Sequence, residues 1–91
     1  MSRLTELKPE FVEFMPHTKE HGILYISKRF GLAIHLCACG CGYETVTPID
    51  GLLAWKLTEN DGKVTLHPSI GNQNFECRSH YWIRNNRVIW L

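Results

Sequence analysis

Trp55-Lys56-Leu57-Thr58-Glu59-Asn60-Asp61-Gly62-Lys63-Val64-Thr65-Leu66 holds two β-prone runs on either side of Asn60-Asp61-Gly62. Asn, Asp and Gly tolerate positive φ, so the sequence predicts a tight hairpin turn between two strands. Asn85-Asn86 repeats the signal between His80-Tyr81-Trp82-Ile83-Arg84 and Arg87-Val88-Ile89-Trp90. Outward from these hairpins, further short β-prone runs occur at Phe11 to Met15, Gly22 to Ile26, Leu32 to Leu36 and Tyr43 to Thr47, with Pro16 and Gly31 among the separators. The pattern predicts a mainly β chain: a small antiparallel sheet or partly open barrel with at most one short helix. That helix would run from Pro48 to Ala54, where Pro48 can open a first turn. Residues 1–10 carry no strong pattern and are expected as a loose arm. A single domain then spans residues 11–91.

The chain has 91 residues, 44% hydrophobic and 21% charged, with a formal net charge of +1. A chain of this size buries only roughly 60–65% of its unfolded surface, so a metal staple would add stability that packing alone supplies poorly. The near-neutral balance offers no footprint for nucleic acid and no polybasic run for a membrane; Lys28-Arg29 is too short for either. Met1-Ser2-Arg3-Leu4-Thr5-Glu6 lacks the apolar core of a secretory signal, and no stretch approaches the roughly 20 apolar residues of a membrane span. The expectation is cytoplasmic, where cysteines are thiols or metal ligands rather than disulfides.

Four cysteines and two histidines fall into two clusters, His35-Leu36-Cys37-Ala38-Cys39-Gly40-Cys41-Gly42 and Cys77-Arg78-Ser79-His80. Thiolate and imidazole at such spacing suit Zn²⁺, although Fe²⁺ also accepts a four-sulfur shell. On a strand ending at Leu36, His35 and Cys37 project from one face, because side chains alternate with a period of two. The small residues that follow let the backbone turn tightly and point several sulfurs inward. Six candidates then compete for four places. All four cysteines can close a structural shell, leaving His35 and His80 free for catalysis. Alternatively His80 or His35 replaces one cysteine and releases a thiol as nucleophile. In a hydrolytic site, three ligands hold the metal and a water takes the fourth position. A metal-free Cys/His site completes the set. Sulfur-rich shells are usually structural, which favours Cys37, Cys39, Cys41 and Cys77 as the ligands.

Val64-Thr65-Leu66-His67-Pro68-Ser69-Ile70-Gly71-Asn72 is unusual for a strand running into a loop. Ser69 can be a positioned hydroxyl, with His80 or His35 as its base and Asn72 or Asn74 as orienter or oxyanion donor. It can also simply cap a turn, as Ser commonly does. Trp55, Tyr81, Trp82 and Trp90 read as core or sheet-face aromatics. His17 and His21 read as solvated loop residues, and His67 as facing solvent or a turn.

From Gly22 to Trp90 the chain resembles a family of small bacterial proteins catalogued as a domain of unknown function and often mislabelled ammonia monooxygenase. The matching pieces are Gly22-Ile23-Leu24-Tyr25-Ile26-Ser27, His35 through Gly42, Thr47-Pro48, Trp55-Lys56-Leu57, Val64 through Asn72, Cys77-Arg78-Ser79-His80-Tyr81-Trp82-Ile83 and Val88-Ile89-Trp90. One departure is Ala38, where the family pattern has proline; it removes no ligand. The resemblance implies a zinc-containing small β domain. Some members are similar to proteins encoded beside ubiquitin-like modifiers, their activating and conjugating enzymes and a metallopeptidase in bacterial antiphage operons, and others occur in prophages. That context implies either a peptidase or deconjugating enzyme acting on a ubiquitin-like protein, or a zinc-stapled adaptor that binds a protein partner. The excess of Cys, His and Ser over a closed metal shell favours the enzyme. In it His80 is base or ligand, and the nucleophile is Ser69, Ser79 or an unligated cysteine.

Overall fold

The computed structural model describes residues 3–72 and 75–91. Eight strands follow one another: β1 (Lys8–Phe11), β2 (Ile23–Ser27), β3 (Leu32–Leu36), β4 (Glu44–Pro48), β5 (Lys56–Asn60), β6 (Lys63–Gly71), β7 (His80–Arg84) and β8 (Arg87–Trp90). They form two four-stranded sheets in chain order, β1-β2-β3-β4 and β5-β6-β7-β8. Pairing is antiparallel except that β1 lies parallel to β2. The β class and the antiparallel pairing follow the sequence expectation, and the strands divide into two sheets.

Both hairpin turns form where the sequence places them. Asp61 and Gly62 take φ of 52° and 76° between β5 and β6, and Asn85 and Asn86 take 50° and 68° between β7 and β8. Two consecutive left-handed residues give a turn whose twist matches that of the flanking strands. Period-two burial then sorts each strand. Leu24, Ile26 and Ala33 from the first sheet meet Val64, Leu66, Ile70, Tyr81, Ile83 and Val88 from the second in one core cluster. Among the described residues there is no helix, hence none long and apolar enough to cross a membrane. The segment expected as a helix from Pro48 is instead a turn, with Gly51 at φ 108° and the Trp55 amide returning to the Pro48 carbonyl at 2.8 Å. A single turn of helix cannot offset its own nucleation cost.

Within the segment expected as a loose arm, residues 4–10 pack against the rest of the chain. Leu7 is buried in the core at 2% exposure, and Lys8 to Phe11 form β1 rather than a strand beginning at Phe11. Backbone bonds run from Leu4 N to Ala38 O, from Leu7 N to Asn86 O and from Val88 N to Thr5 O, so the segment ties the cysteine-rich turn to the β7–β8 hairpin. Trp90 adds its indole N–H to Leu4 O at 2.9 Å, and the Arg3 guanidinium lies 4.3 Å from the Trp90 ring centroid. One isolated leucine has no periodicity to betray it in sequence, yet burying it contributes about 2 kcal/mol.

Candidate active site and metal centre

The cysteine centre is assembled by two tight turns. At the end of β3 the Cys37 amide bonds Tyr43 O and the Gly40 amide bonds Cys37 O, with Gly40 and Gly42 at φ 91° and 89°. Those left-handed positions are open to glycine without a Cβ penalty, and they bring Cys37, Cys39 and Cys41 round to one side. After β6, the Phe75 amide bonds Asn72 O, the Arg78 amide bonds Phe75 O, and Arg78 takes φ 46°. Cys77 thereby faces the first turn.

Sγ of Cys37 lies 3.4 Å from that of Cys39 and 3.8 Å from that of Cys77, and all four sulfurs lie within 4.8 Å of one another. A tetrahedron with zinc–sulfur arms of about 2.3 Å has edges of roughly 3.8 Å, so the donor set fits such an ion. The four cysteines can hold a metal; neither His35 nor His80 belongs to the group of ligand atoms, and no cysteine is in a disulfide. The thiols divide their charge unequally. Burial pushes Cys39 up to about 12 and raises Cys41. For Cys77 burial also opposes the thiolate, but the Ser79 hydroxyl and amide, with Cys39 and Cys41, outweigh it and bring the thiol down to about 6. Bringing all four to thiolates takes a cation.

Behind the sulfurs lies a buried polar network. Ser79 Oγ is 2.9 Å from Cys37 Sγ and 3.4 Å from Cys77 Sγ. Asn72 Nδ2 donates to Ser79 Oγ at 3.1 Å, Cys37 Sγ at 3.5 Å and Tyr81 OH at 3.4 Å, while Asn72 Oδ1 accepts from Thr45 Oγ1 at 3.1 Å. Tyr81 OH also accepts from the Ala38 amide at 3.3 Å. Its own proton is thus left for His35 Nε2, 2.6 Å away. His35 has no exposed surface, and burial, with His21 adding to it, lowers its pKa to about 4. The ring is neutral, with its Nδ1 unpartnered among the described residues. Burial likewise pushes the Tyr81 phenol up. His35 makes no hydrogen bond to Ser69.

Ser69 meets the other histidine. Its Oγ is 2.7 Å from His80 Nε2, and its carbonyl accepts the Trp55 indole N–H at 3.2 Å. The pairing of β6 with β7 explains the contact. Gly71 is the direct partner of His80, so Ser69, two residues earlier on the same face, is its diagonal neighbour. A register shift between Leu66 and Ile70, at a stretch containing the cis His67–Pro68 bond, sets this alignment. Bulges commonly re-aim a side chain in this way. A Cβ at Gly71 would rest in ordinary contact with the imidazole, 3.8 Å from His80 Cδ2. Beyond it, Trp82 stacks on His67 with ring centroids 5.6 Å apart.

Among the described residues, Ser69 is the serine that shares a hydrogen bond with a histidine ring; Ser27 Oγ bonds Glu13 O and Ser79 faces the sulfurs. No carboxylate of the described residues bonds His80. Asn72, expected as orienter or oxyanion donor, has its side-chain amide bonded within the buried network, to Thr45, Cys37, Ser79 and Tyr81. Asn74 lies outside the described residues. Sequence reasoning placed Tyr81 only as a core aromatic and did not foresee Thr45; for Tyr81 the available signal was strand alternation, which turns it inward between His80 and Trp82.

A family model described as BubE, bacterial ubiquitination-like system serine protease, matches residues 11–91. No curated protein and no solved structure matches the chain.

Proposed function

This chain belongs to the BubE family of bacterial ubiquitination-like system serine proteases, and we propose that it is itself such a protease, with Ser69 as nucleophile and His80 as general base. The observation that carries the reading is the 2.7 Å contact between Ser69 Oγ and His80 Nε2. That is the distance at which a base removes the proton of an attacking hydroxyl. Ser69 Oγ attacks the carbonyl carbon of the scissile amide while its proton passes to His80 Nε2. Collapse of the tetrahedral adduct breaks the C–N bond, and His80 returns the proton to the departing amine. Water, deprotonated by the same imidazole, then hydrolyses the ester on Ser69 and restores the hydroxyl. The substrate class is a ubiquitin-like modifier, joined by an amide to an extension or a target.

Cys37, Cys39, Cys41 and Cys77 would hold Zn²⁺ as a closed structural shell, which fits their sulfur-only donor set and mutual spacing. Bound there, zinc would supply cross-linking rather than chemistry. The shell would fix the turn Cys77-Arg78-Ser79-His80, and with it the position of the base. Four unpaired thiols accord with a reducing, cytoplasmic setting.

The test is incubation of wild-type protein and Ser69→Ala with a linear fusion of the cognate ubiquitin-like modifier. Cleavage by the wild type that Ser69→Ala abolishes, with zinc content unchanged in both, is the expected result. Absence of cleavage by zinc-loaded wild type supports the adaptor reading instead.

A further inference from the structure

β4 is an edge strand, and its hydrogen-bonding phase can be read from the bonds on either side of it. The Cys37 amide bonds Tyr43 O before β4, and the Ile49 amide bonds Gly31 O after it. Hydrogen-bonded and non-hydrogen-bonded pairs alternate along an antiparallel ladder. Given the partners His35↔Thr45 and Ala33↔Thr47, the bonds to β3 fall on Thr45 and Thr47. The amides and carbonyls of Glu44 and Val46 therefore point away from the sheet. Pro48 has the same phase and can sit there because no ladder bond needs its missing N–H.

Glu44 and Val46 are exposed on this edge. The edge forms one wall of a cleft of about 270 Å³, and Trp55, Ile70, Gly71, Asn72 and Phe75 contribute the rest. Gly71 is also the direct cross-strand partner of His80. Trp55 holds the Ser69 carbonyl. The cleft thus runs from two outward-facing backbone pairs to the residues that border Ser69 and His80. Ser69 and His80 do not themselves line the cleft but adjoin it through Ile70 and Gly71, whereas a larger hollow near Glu6, Lys8 and Asn86 contains no neighbour of Ser69 or His80.

We propose that the cleft receives an extended stretch of the substrate polypeptide as an added strand on β4. The substrate main chain bonds the outward groups of Glu44 and Val46, and the chain passes over Gly71 to present its scissile carbonyl to Ser69. The chemistry recognised is an unfolded, extended peptide segment, since only a backbone with its own N–H and C=O groups free can complete the ladder. The proposal rests on the protease reading above and adds to it where the substrate lies.

The test uses a fluorophore-labelled pool of randomised decapeptides. Amide hydrogen exchange is followed residue by residue in Ser69→Ala protein with and without the pool, and cleavage of the same pool is followed with Ser69 intact. Exchange at Glu44 and Val46 is expected to slow at least about tenfold on adding the pool. Val46→Pro removes one outward donor without touching the bonds to β3, and is expected to lower cleavage about tenfold while a small fluorophosphonate still labels Ser69. Unchanged exchange at both amides overturns the proposal. Cleavage without that protection leaves the protease reading standing and removes the cleft from it. Protection by the pool, with cleavage of neither the pool nor the linear modifier fusion, supports the cleft and removes the protease reading.

Discussion

Ser69 Oγ and His80 Nε2 meet at 2.7 Å across the β6–β7 pair, and the same His80 closes the run Cys77-Arg78-Ser79-His80 that leads out of the cysteine centre. The pair therefore sits on two paired strands, the second of which follows directly on the turn that carries Cys77.

If Ser69 attacks and His80 takes its proton, Ser69→Ala and His80→Ala should each lower kcat by at least about a thousandfold. Neither side chain belongs to the core cluster. Far-ultraviolet circular dichroism of both variants should match the wild type, which separates lost chemistry from lost fold.

Ser79 provides the contrast. Its hydroxyl faces Cys37 Sγ and Cys77 Sγ rather than an imidazole. Ser79→Ala should weaken zinc binding by about tenfold, as expected of a group that hydrogen-bonds metal ligands, yet retain cleavage when zinc is saturating. Competition against a chromophoric chelator measures the first effect. Loss of activity with zinc fully retained would instead make Ser79 the nucleophile.

Zinc should be present near one per chain and should be released by alanine at Cys37, Cys39, Cys41 or Cys77, but not by His35→Ala or His80→Ala. A metal at about a hundred times its Kd adds about 2.7 kcal/mol to stability. Each kcal/mol is about 4–8 °C for a domain of this size, so chelation is expected to lower Tm by roughly 10–20 °C. Elemental mass spectrometry and a thermal scan check the two halves of this statement.

The turns and the cysteine turn-cluster were legible because they depend on local chemistry. Asp61-Gly62 and Asn85-Asn86 need positive φ whatever surrounds them, and Gly40 and Gly42 mark the bends that gather the sulfurs. What was not legible depends on distant partners. That β1 runs parallel to β2, and that Leu7 is a core residue, follow from packing between segments far apart in the chain. Ser69 had two candidate bases in sequence; the β6–β7 register brings it to His80, while His35 on β3 of the other sheet meets Tyr81 instead. Asn72 follows the same logic: as the residue after Gly71 it points inward, away from His80 and towards the sulfurs.

The strap formed by the N-terminal segment makes a separate stability prediction. Leu7→Ala should cost about 2–4 kcal/mol in urea unfolding. Leu53→Ala, at a site 86% exposed, should change stability by less than about 0.5 kcal/mol. Equal effects would mean that the segment contributes nothing to the core.

The most direct measurement of the central claim is to label the zinc-loaded protein with a fluorophosphonate and locate the adduct by peptide mass spectrometry. One modified residue is expected, Ser69, with labelling lost in His80→Ala and preserved in Ser79→Ala. An adduct on Ser79 or on a cysteine, or labelling of Ser69 that is indifferent to His80, would contradict the claim.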